Sequence, residues 1–268
     1  MGPPIGWVSD LTGAASMRIG GVTDMSTVDW YGNVCLVVFF AGCNLRCPYC
    51  QNSGLLPLGS GQSVPLSYLE DRLRTGLSPV PQLDAVVFTG GEPLLQPDAV
   101  IEAARLVKGL DLGLMLNTNG TLYRAAERVL KTGLVDRVAL DVKAPLDAAE
   151  YGRVTGVPEA GAASVNSVDA VLDLSNEYGL EVEARTTVAP TVSDDPAFIR
   201  RIAEDIRGRV DVYYLQQFDN QGEVLSPELK AMDRPTKEHM ISLAREALGA
   251  GLDNVCVKTR FEGLERVR

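Results

Sequence analysis

Three of the five cysteines in this chain fall within eight residues, in the run Cys43-Asn44-Leu45-Arg46-Cys47-Pro48-Tyr49-Cys50. A Cys-x3-Cys-x2-Cys spacing gathers soft thiolate donors at one place, a ligand set for a thiophilic metal centre. A structural zinc site takes four ligands, and no natural fourth is at hand. Cys35 sits inside an apolar run, Cys256 is remote, and the single histidine, His239, lies far along the chain. Three thiolates suit a cubane iron–sulfur cluster one cysteine short of the usual set, with one iron open to a small molecule. A disulfide with a spare thiol, or a redox pair at Cys47 and Cys50, is the alternative, although a thioredoxin-type dithiol stands at a helix start with no third partner.

Something rigid must present these thiols. Residues 34–41, immediately before them, form a continuous apolar run of β-branched and aromatic residues, which predicts a buried strand. The cysteines then occupy the loop that leaves its end. Further strands are expected at 84–89, 112–116, 135–140, 180–186 and 210–215, with a last short one at 254–258. Helices are expected at 67–73, 99–108, 123–131, 167–178, 195–206 and 236–248, and 54–65 reads as a Gly/Pro/Ser-rich connection.

Strand, polar cluster and helix recur six times, the signature of an α/β fold with a parallel sheet. Right-handed crossovers would bring all the polar clusters to the C-terminal edge of the strands, where barrel enzymes carry their active sites. Six units fall short of an eight-stranded barrel. The expectation is a partial (β/α)6 barrel, open on one side, which a substrate as large as another protein could approach. Residues 1–33 are expected to form an N-terminal extension, with apolar patches at Trp7-Val8 and Met17-Ile19 and a hairpin or lid edge at 28–32. Residues 34–220 form the barrel, and 221–268 a helical and strand segment packed on it.

Composition narrows the partners. The chain has 268 residues, 46% hydrophobic and 22% charged, an ordinary profile for one globular core. Its net charge of −10 and pI near 4.7 disfavour a generic nucleic-acid or anionic-membrane surface. No stretch approaches the roughly 18 apolar residues of a membrane span, and the start lacks the regions of a signal peptide. Clustered rather than scattered cysteines argue for a reducing cytoplasm.

The predicted rim holds the other candidates. Gly90 and Gly91 let backbone approach a ligand, and Glu92 adds a charge before Pro93. Asn117 and Asn119 follow the third strand and Asp141 and Lys143 the fourth, the latter two spaced to point to one side. Bare charges inside a barrel rim would cost desolvation unless they served a ligand. Arg185 offers a planar fork suited to a carboxylate, and Gln216 offers hydrogen bonds. His239 reads as a surface histidine, and Cys35 and Cys256 as packed thiols.

The cysteine spacing with Tyr49 before its last member resembles the radical S-adenosylmethionine (SAM) superfamily. That resemblance implies a [4Fe–4S] cluster on Cys43, Cys47 and Cys50, with SAM chelating the open iron. One-electron reduction then cleaves SAM to methionine and a 5′-deoxyadenosyl radical. It also implies that Gly90-Gly91-Glu92 grips the SAM amino group, that Arg185 receives its carboxylate, and that Tyr49 and Asn52 belong to the site. Across residues 20–220 the chain is similar above all to activating enzymes of glycyl radical enzymes, especially those of anaerobic ribonucleoside-triphosphate reductase. Ser26-Thr27-Val28-Asp29, Phe39-Phe40-Ala41-Gly42, Cys50-Gln51-Asn52, Phe88-Thr89-Gly90-Gly91-Glu92-Pro93, Thr118-Asn119-Gly120, Asp141-Val142-Lys143, Arg185-Thr186-Thr187-Val188 and Leu215-Gln216-Gln217-Phe218 carry this likeness. In those activases the aspartate–lysine pair stands beside SAM and a monovalent cation; Gln51, Tyr31 and Asn117 depart from their common histidine, proline and aspartate. The resemblance implies an oxidoreductase that takes an electron from a carrier such as ferredoxin or flavodoxin and abstracts hydrogen from a partner's glycine. Two other readings fit the same residues. One is a small-molecule enzyme like 7-carboxy-7-deazaguanine synthase, which shares Gly-Gly-Glu-Pro followed by Leu-Leu-Gln. The other is a non-catalytic iron–sulfur electron carrier.

Overall fold

The strands named above are apolar on both faces, and a strand of that kind needs cover on both sides. The structure, a computed structural model that describes residues 16–80 and 82–268, supplies it. The elements are β1 (Ser16–Ser26), β2 (Cys35–Phe40), β3 (Gln62–Pro65), α1 (Leu66–Leu77), β4 (Ala85–Gly90), α2 (Pro97–Gly109), β5 (Gly113–Thr118), α3 (Tyr123–Leu130), β6 (Arg137–Asp141), α4 (Ala148–Thr155) and α5 (Gly161–Glu177). They continue with β7 (Glu181–Val188), α6 (Pro196–Ile206), β8 (Val212–Gln217), α7 (Pro227–Lys230), α8 (Lys237–Gly249), β9 (Val255–Thr259) and β10 (Gly263–Val267). The ten strands of the described residues form one sheet in the order β10-β9-β8-β7-β6-β5-β4-β2-β1-β3. From β2 to β9 every pairing is parallel; β1, β3 and β10 are antiparallel additions at the ends.

Side chains alternate across each strand. Leu36, Val38, Phe40, Val86, Phe88, Leu114, Leu116, Val138 and Leu140 face outward into the core shared with the helices. Cys35, Val37, Ala85, Val87, Met115 and Ala139 face inward and pack on Trp30 and Phe39. The β1–β2 connection therefore plugs the end of the barrel opposite the cysteines. Tyr31 reaches the far wall there, edge-on to Tyr214 at 6.3 Å and under Lys258 Nζ at 5.4 Å. Residues 28–32 are thus the turn of a hairpin and not a lid over the rim. On the β7–β9 side the interior is charged: Glu183 is shared between Arg137 and Arg185, all three buried.

The partial barrel has the six expected units and one parallel strand more. β9 pairs in register with β8, so the sheet continues past residue 220 into the C-terminal segment. The hairpin partner β10, the strands β1 and β3, and helix α4 carry no apolar run or clear period in the sequence. β1, with Gly20 and Gly21 in its middle and half its residues exposed, is defined by its pairing with β2 and β3. α4 is set locally: Asp147 accepts from Glu150 N–H and Gly156 ends the helix at φ 69°. Between β10 and β3 the described sheet stays open. Among the described residues no helix is long and apolar enough to cross a membrane. The Trp7-Val8 patch lies outside the described residues.

Candidate functional site

The cysteine loop follows β2 at the C-terminal rim. Gly42, at φ 90°, turns the chain out of the strand. Gly42 N–H donates to Leu55 O (2.8 Å) and Cys43 N–H to Leu56 O (3.1 Å), while Gly42 O accepts from Glu92 N–H (2.8 Å). Arg46 N–H donates to Thr155 O (2.8 Å) at the end of α4, a close approach in which a Cβ on Gly156 would lie 2.3 Å from Arg46 O. Beyond β8, Leu225 N–H donates to Cys50 O (3.1 Å) and Ser226 N–H to Pro48 O (2.8 Å). Each cysteine is held by a different stretch of chain. All five cysteines are free thiols, with Cys35 inside the barrel and Cys256 buried on β9.

A cleft enclosing about 180 Å³ and partly open to solvent lies over the rim. Cys43, Cys47, Tyr49, Cys50 and Asn52 line one side. Gly90 and Gly91 from the end of β4, Asn117 and Asn119 from the end of β5, Asp141 and Lys143 from β6, and Gln216 from β8 complete it. Thr89 and Thr187, which the sequence offers only as members of motif runs, also line it; Thr187, like Gln216, stands at a strand end on the inward face, two residues after Arg185. Asn119 Nδ2 donates to Asn44 Oδ1 (3.0 Å), which ties the β5 turn to the cysteine loop. Asn117 Nδ2 donates to Thr89 Oγ1 (2.9 Å), but its Oδ1 is buried without a donor.

Two predicted ligands lie elsewhere. Glu92 is fully buried beneath the cleft, where Oε1 accepts from Leu94 N–H (3.0 Å) and Thr118 Oγ1 (2.7 Å) and Oε2 from Asn119 N–H (2.7 Å). These buried donors need an acceptor, so the carboxyl joins the β4 and β5 turns. Arg185 faces the barrel interior, bonded through Nε to Glu183 and through Nη2 to Asp29 O (3.2 Å). Glu183, two residues earlier on the same face, holds it there, away from the cleft lining. His239 sits on α8 with Nε2 2.9 Å from Asp194 O, also away from the cleft.

Burial sets the electrostatics. It pushes the Cys43 thiol up to about 12 and raises Cys47 and Cys50; the positive charge of Lys143 opposes this at all three. Burial would lower Lys143 itself, but Asp141, Cys47 and Tyr49 outweigh that and keep it well above its ordinary value. The site therefore holds a fixed cation beside the thiols. Glu92 is raised to about 7 by burial, against the three donors that favour its charged form.

Residues 37–202 match the family model of the Radical SAM superfamily. The chain belongs to the radical SAM superfamily. A protein of Methanocaldococcus jannaschii named as a putative glycyl-radical enzyme activating enzyme is 33% identical over 90% of this chain and 95% of its own length. The pyruvate formate-lyase-activating enzyme of Clostridium pasteurianum is 33% identical over 71% of this chain and 76% of its own. The 7-carboxy-7-deazaguanine synthase of Methanothermobacter thermautotrophicus is 28% identical over 66% and 69%. Among solved structures, a radical SAM methyltransferase from Sphaerobacter thermophilus superposes with TM-score 0.67 at 18% identity, covering 85% of this chain and 67% of that one. That last likeness concerns the fold.

Radical SAM enzymes use a [4Fe–4S] cluster and SAM, and the site residues fit both. Three thiols line one cleft, and among the described residues no three acids, histidines or thiols are gathered for a single ion. A cluster with one iron left over accommodates that donor set. The donorless Asn117 Oδ1, the Asp141–Lys143 ion pair and Gln216 turn polar groups to the cleft, which suits a charged, hydrogen-bonding cofactor such as SAM.

Proposed function

We propose that this radical SAM enzyme is an oxidoreductase that activates a glycyl radical enzyme of the anaerobic ribonucleotide reductase type. The observation that carries this is the convergence of the three thiols with Asp141, Lys143 and Asn117 on one rim cleft. The 33% identity to the Methanocaldococcus jannaschii protein over nearly both full lengths, and to the pyruvate formate-lyase-activating enzyme of Clostridium pasteurianum over 71% of this chain, supports it. When bound, the cluster and SAM supply a carbon-centred radical by one-electron reduction, with ferredoxin or flavodoxin as the class of donor.

The protein's own residues hold and shield. Cys43, Cys47 and Cys50 anchor the cluster, and Gly90 and Gly91 leave room for SAM against the end of β4. Lys143, kept protonated by Asp141, presents a fixed positive charge to the cofactor's anionic groups. Asn117 Oδ1 and Gln216 offer hydrogen bonds. The apolar inner wall around Val37, Val87 and Met115 keeps water from below the site, which protects a reactive species from side reactions. The open side of the sheet leaves a way in for a glycine-bearing loop. The reading implies a reducing, cytoplasmic setting.

The test is made on anaerobically reconstituted protein. With reductant and SAM, the cluster's electron paramagnetic resonance signal is expected to change and 5′-deoxyadenosine to form. Added anaerobic ribonucleoside-triphosphate reductase should then acquire a glycyl radical signal. Deoxyadenosine without that signal would remove the proposed partner, and turnover of a deazaguanine precursor in its place would favour the small-molecule reading. No response to SAM at all would leave an electron carrier.

A further inference from the structure

The C-terminal part of the chain reaches back to the cysteine loop through one strap, residues 219–226. Gln51 Nε2 donates to Asp219 O (2.8 Å) and Ser53 Oγ to Glu223 O (2.9 Å). Asn52 and Glu223 form an isolated parallel bridge. With the bonds from Leu225 N–H to Cys50 O and from Ser226 N–H to Pro48 O, the strap meets the outer half of the loop from residue 48 to 53 and leaves Cys43 untouched.

The strap is fastened from behind. The Asp219 carboxylate lies between two guanidiniums, bonded to Arg260 Nη1 and 3.6 Å from Arg234 Nη1. Asn220 Nδ2 donates to Met232 O (2.8 Å), and Arg260 N–H to Gln217 Oε1 (3.0 Å). Arg234 and Arg260 also flank the ring of Phe261, at 4.9 and 6.0 Å. Asp219 thus joins two things in one residue: its side chain grips the C-terminal segment, and its carbonyl grips the cysteine loop. The three ion-pair groups are only partly exposed, so the attraction is less screened than at an open surface.

We propose that residues 219–226, pinned by Asp219 between Arg234 and Arg260, are the positioning element for Cys50, and set how firmly that corner of the cluster is held; the consequence for iron rests on the cluster assignment. The contrast with Cys43 is the reason. Cys43 and its neighbour Gly42 are bonded to Leu55 and Leu56, farther along the same loop, and to Glu92 in the turn after β4. Cys50 is half-buried; its N–H donates to Cys47 O (3.0 Å) within the loop, and its only backbone bond to another segment comes from Leu225 N–H, far along the chain. Outer partners of metal ligands govern affinity because they hold the ligand in place.

The experiment uses the full chain, reduced and free of metal, alkylated with iodoacetamide and read cysteine by cysteine by mass spectrometry. In Asp219→Ala, Cys50 should react roughly ten-fold faster than in wild type, with Cys43 unchanged and Asp219→Glu restoring the slow rate; after reconstitution, Asp219→Ala should lose iron to a chelator about ten-fold faster. An unchanged ratio of Cys50 to Cys43 labelling, or equal acceleration of both, would overturn the proposal. Should Asp219→Ala fail to fold, Arg260→Gln, at a more exposed side chain, is read in the same way. A wild-type chain that takes up no iron would sink the cluster assignment, and the labelling ratio would still decide whether the strap holds Cys50.

Discussion

Lys143 Nζ lies 3.0 Å from Asp141 Oδ2, and both side chains line the cysteine cleft while Val142 between them is buried in the core. The pair works as a unit because β6 ends here: alternation sends residues 141 and 143 to one side. Lys143→Met should lower deoxyadenosine formation by about 100-fold, the scale of losing one fixed charge-stabilising group in a water-poor site. Iron content should stay at the wild-type level, read by colorimetric assay beside the turnover.

The thiols divide into two classes. Serine at Cys43, Cys47 or Cys50 should abolish the cluster absorbance after reconstitution. Cys35→Ala, inside the barrel plug, should keep the absorbance and cost about 1 kcal/mol of stability through a small cavity, seen in a denaturant titration.

Gly91 cannot carry a side chain. A Cβ there would sit 2.0 Å from Gly42 O, which is backbone and itself bonded to Glu92 N–H. Gly91→Ala should cost about 2 kcal/mol or more and displace the Gly42–Cys43 corner, so that both melting temperature and iron uptake fall. A variant with wild-type iron uptake would show that this turn has slack.

Arg185 separates a structural role from a binding one. Its guanidinium is committed to Glu183 and Asp29 O inside the barrel. Arg185→Met should therefore lower stability by about 2–4 kcal/mol, since removing one partner strands a buried charge; Arg137 remains to Glu183 and limits the loss. SAM affinity, measured by calorimetry on protein that still folds, should change less than about three-fold.

Glu92 gives the fold a pH dependence. Its carboxyl is raised from the ordinary 4.5 to about 7 by burial, so the native state favours the protonated form. That contribution is fully present below about 4.5 and is lost as pH rises to about 7, at most about 3 kcal/mol. In metal-free protein, Glu92→Gln should remove this slope between pH 4.5 and 7, leaving a constant deficit because the amide cannot accept from every donor around it. Denaturation midpoints across that range, compared for the two proteins, measure it.

What the sequence revealed followed from what its signals encode. The cysteines, the βα rhythm and the rim position of Asp141 and Lys143 were legible because spacing and strand alternation are local. For Glu92 and Arg185 the sequence shows a charge beside the rim, and the structure places both side chains outside the cleft lining. Their direction depends on donors from other segments, Asn119 for one and Glu183 with Asp29 for the other. β1, with Gly20 and Gly21 at its centre, and the four-residue β3 leave no periodic mark in the sequence and take their form from pairing. The strap escaped notice because polar loop residues give no periodic sign of what they touch.

The backbone bonds of the cysteine loop end on Leu55, Thr155 and Leu225. A ribosome delivers these in that order, and the thiols emerge long before the last of them. While the hundred or so residues from 56 to 155 are added, the nascent chain therefore carries three thiols without the supports that Thr155 and Leu225 provide. Domains fold as units once their long-range contacts can form. The supports of the three thiols are thus complete only once residues 225 and 226 have joined the fold, although the thiols themselves lie in the first fifth of the chain.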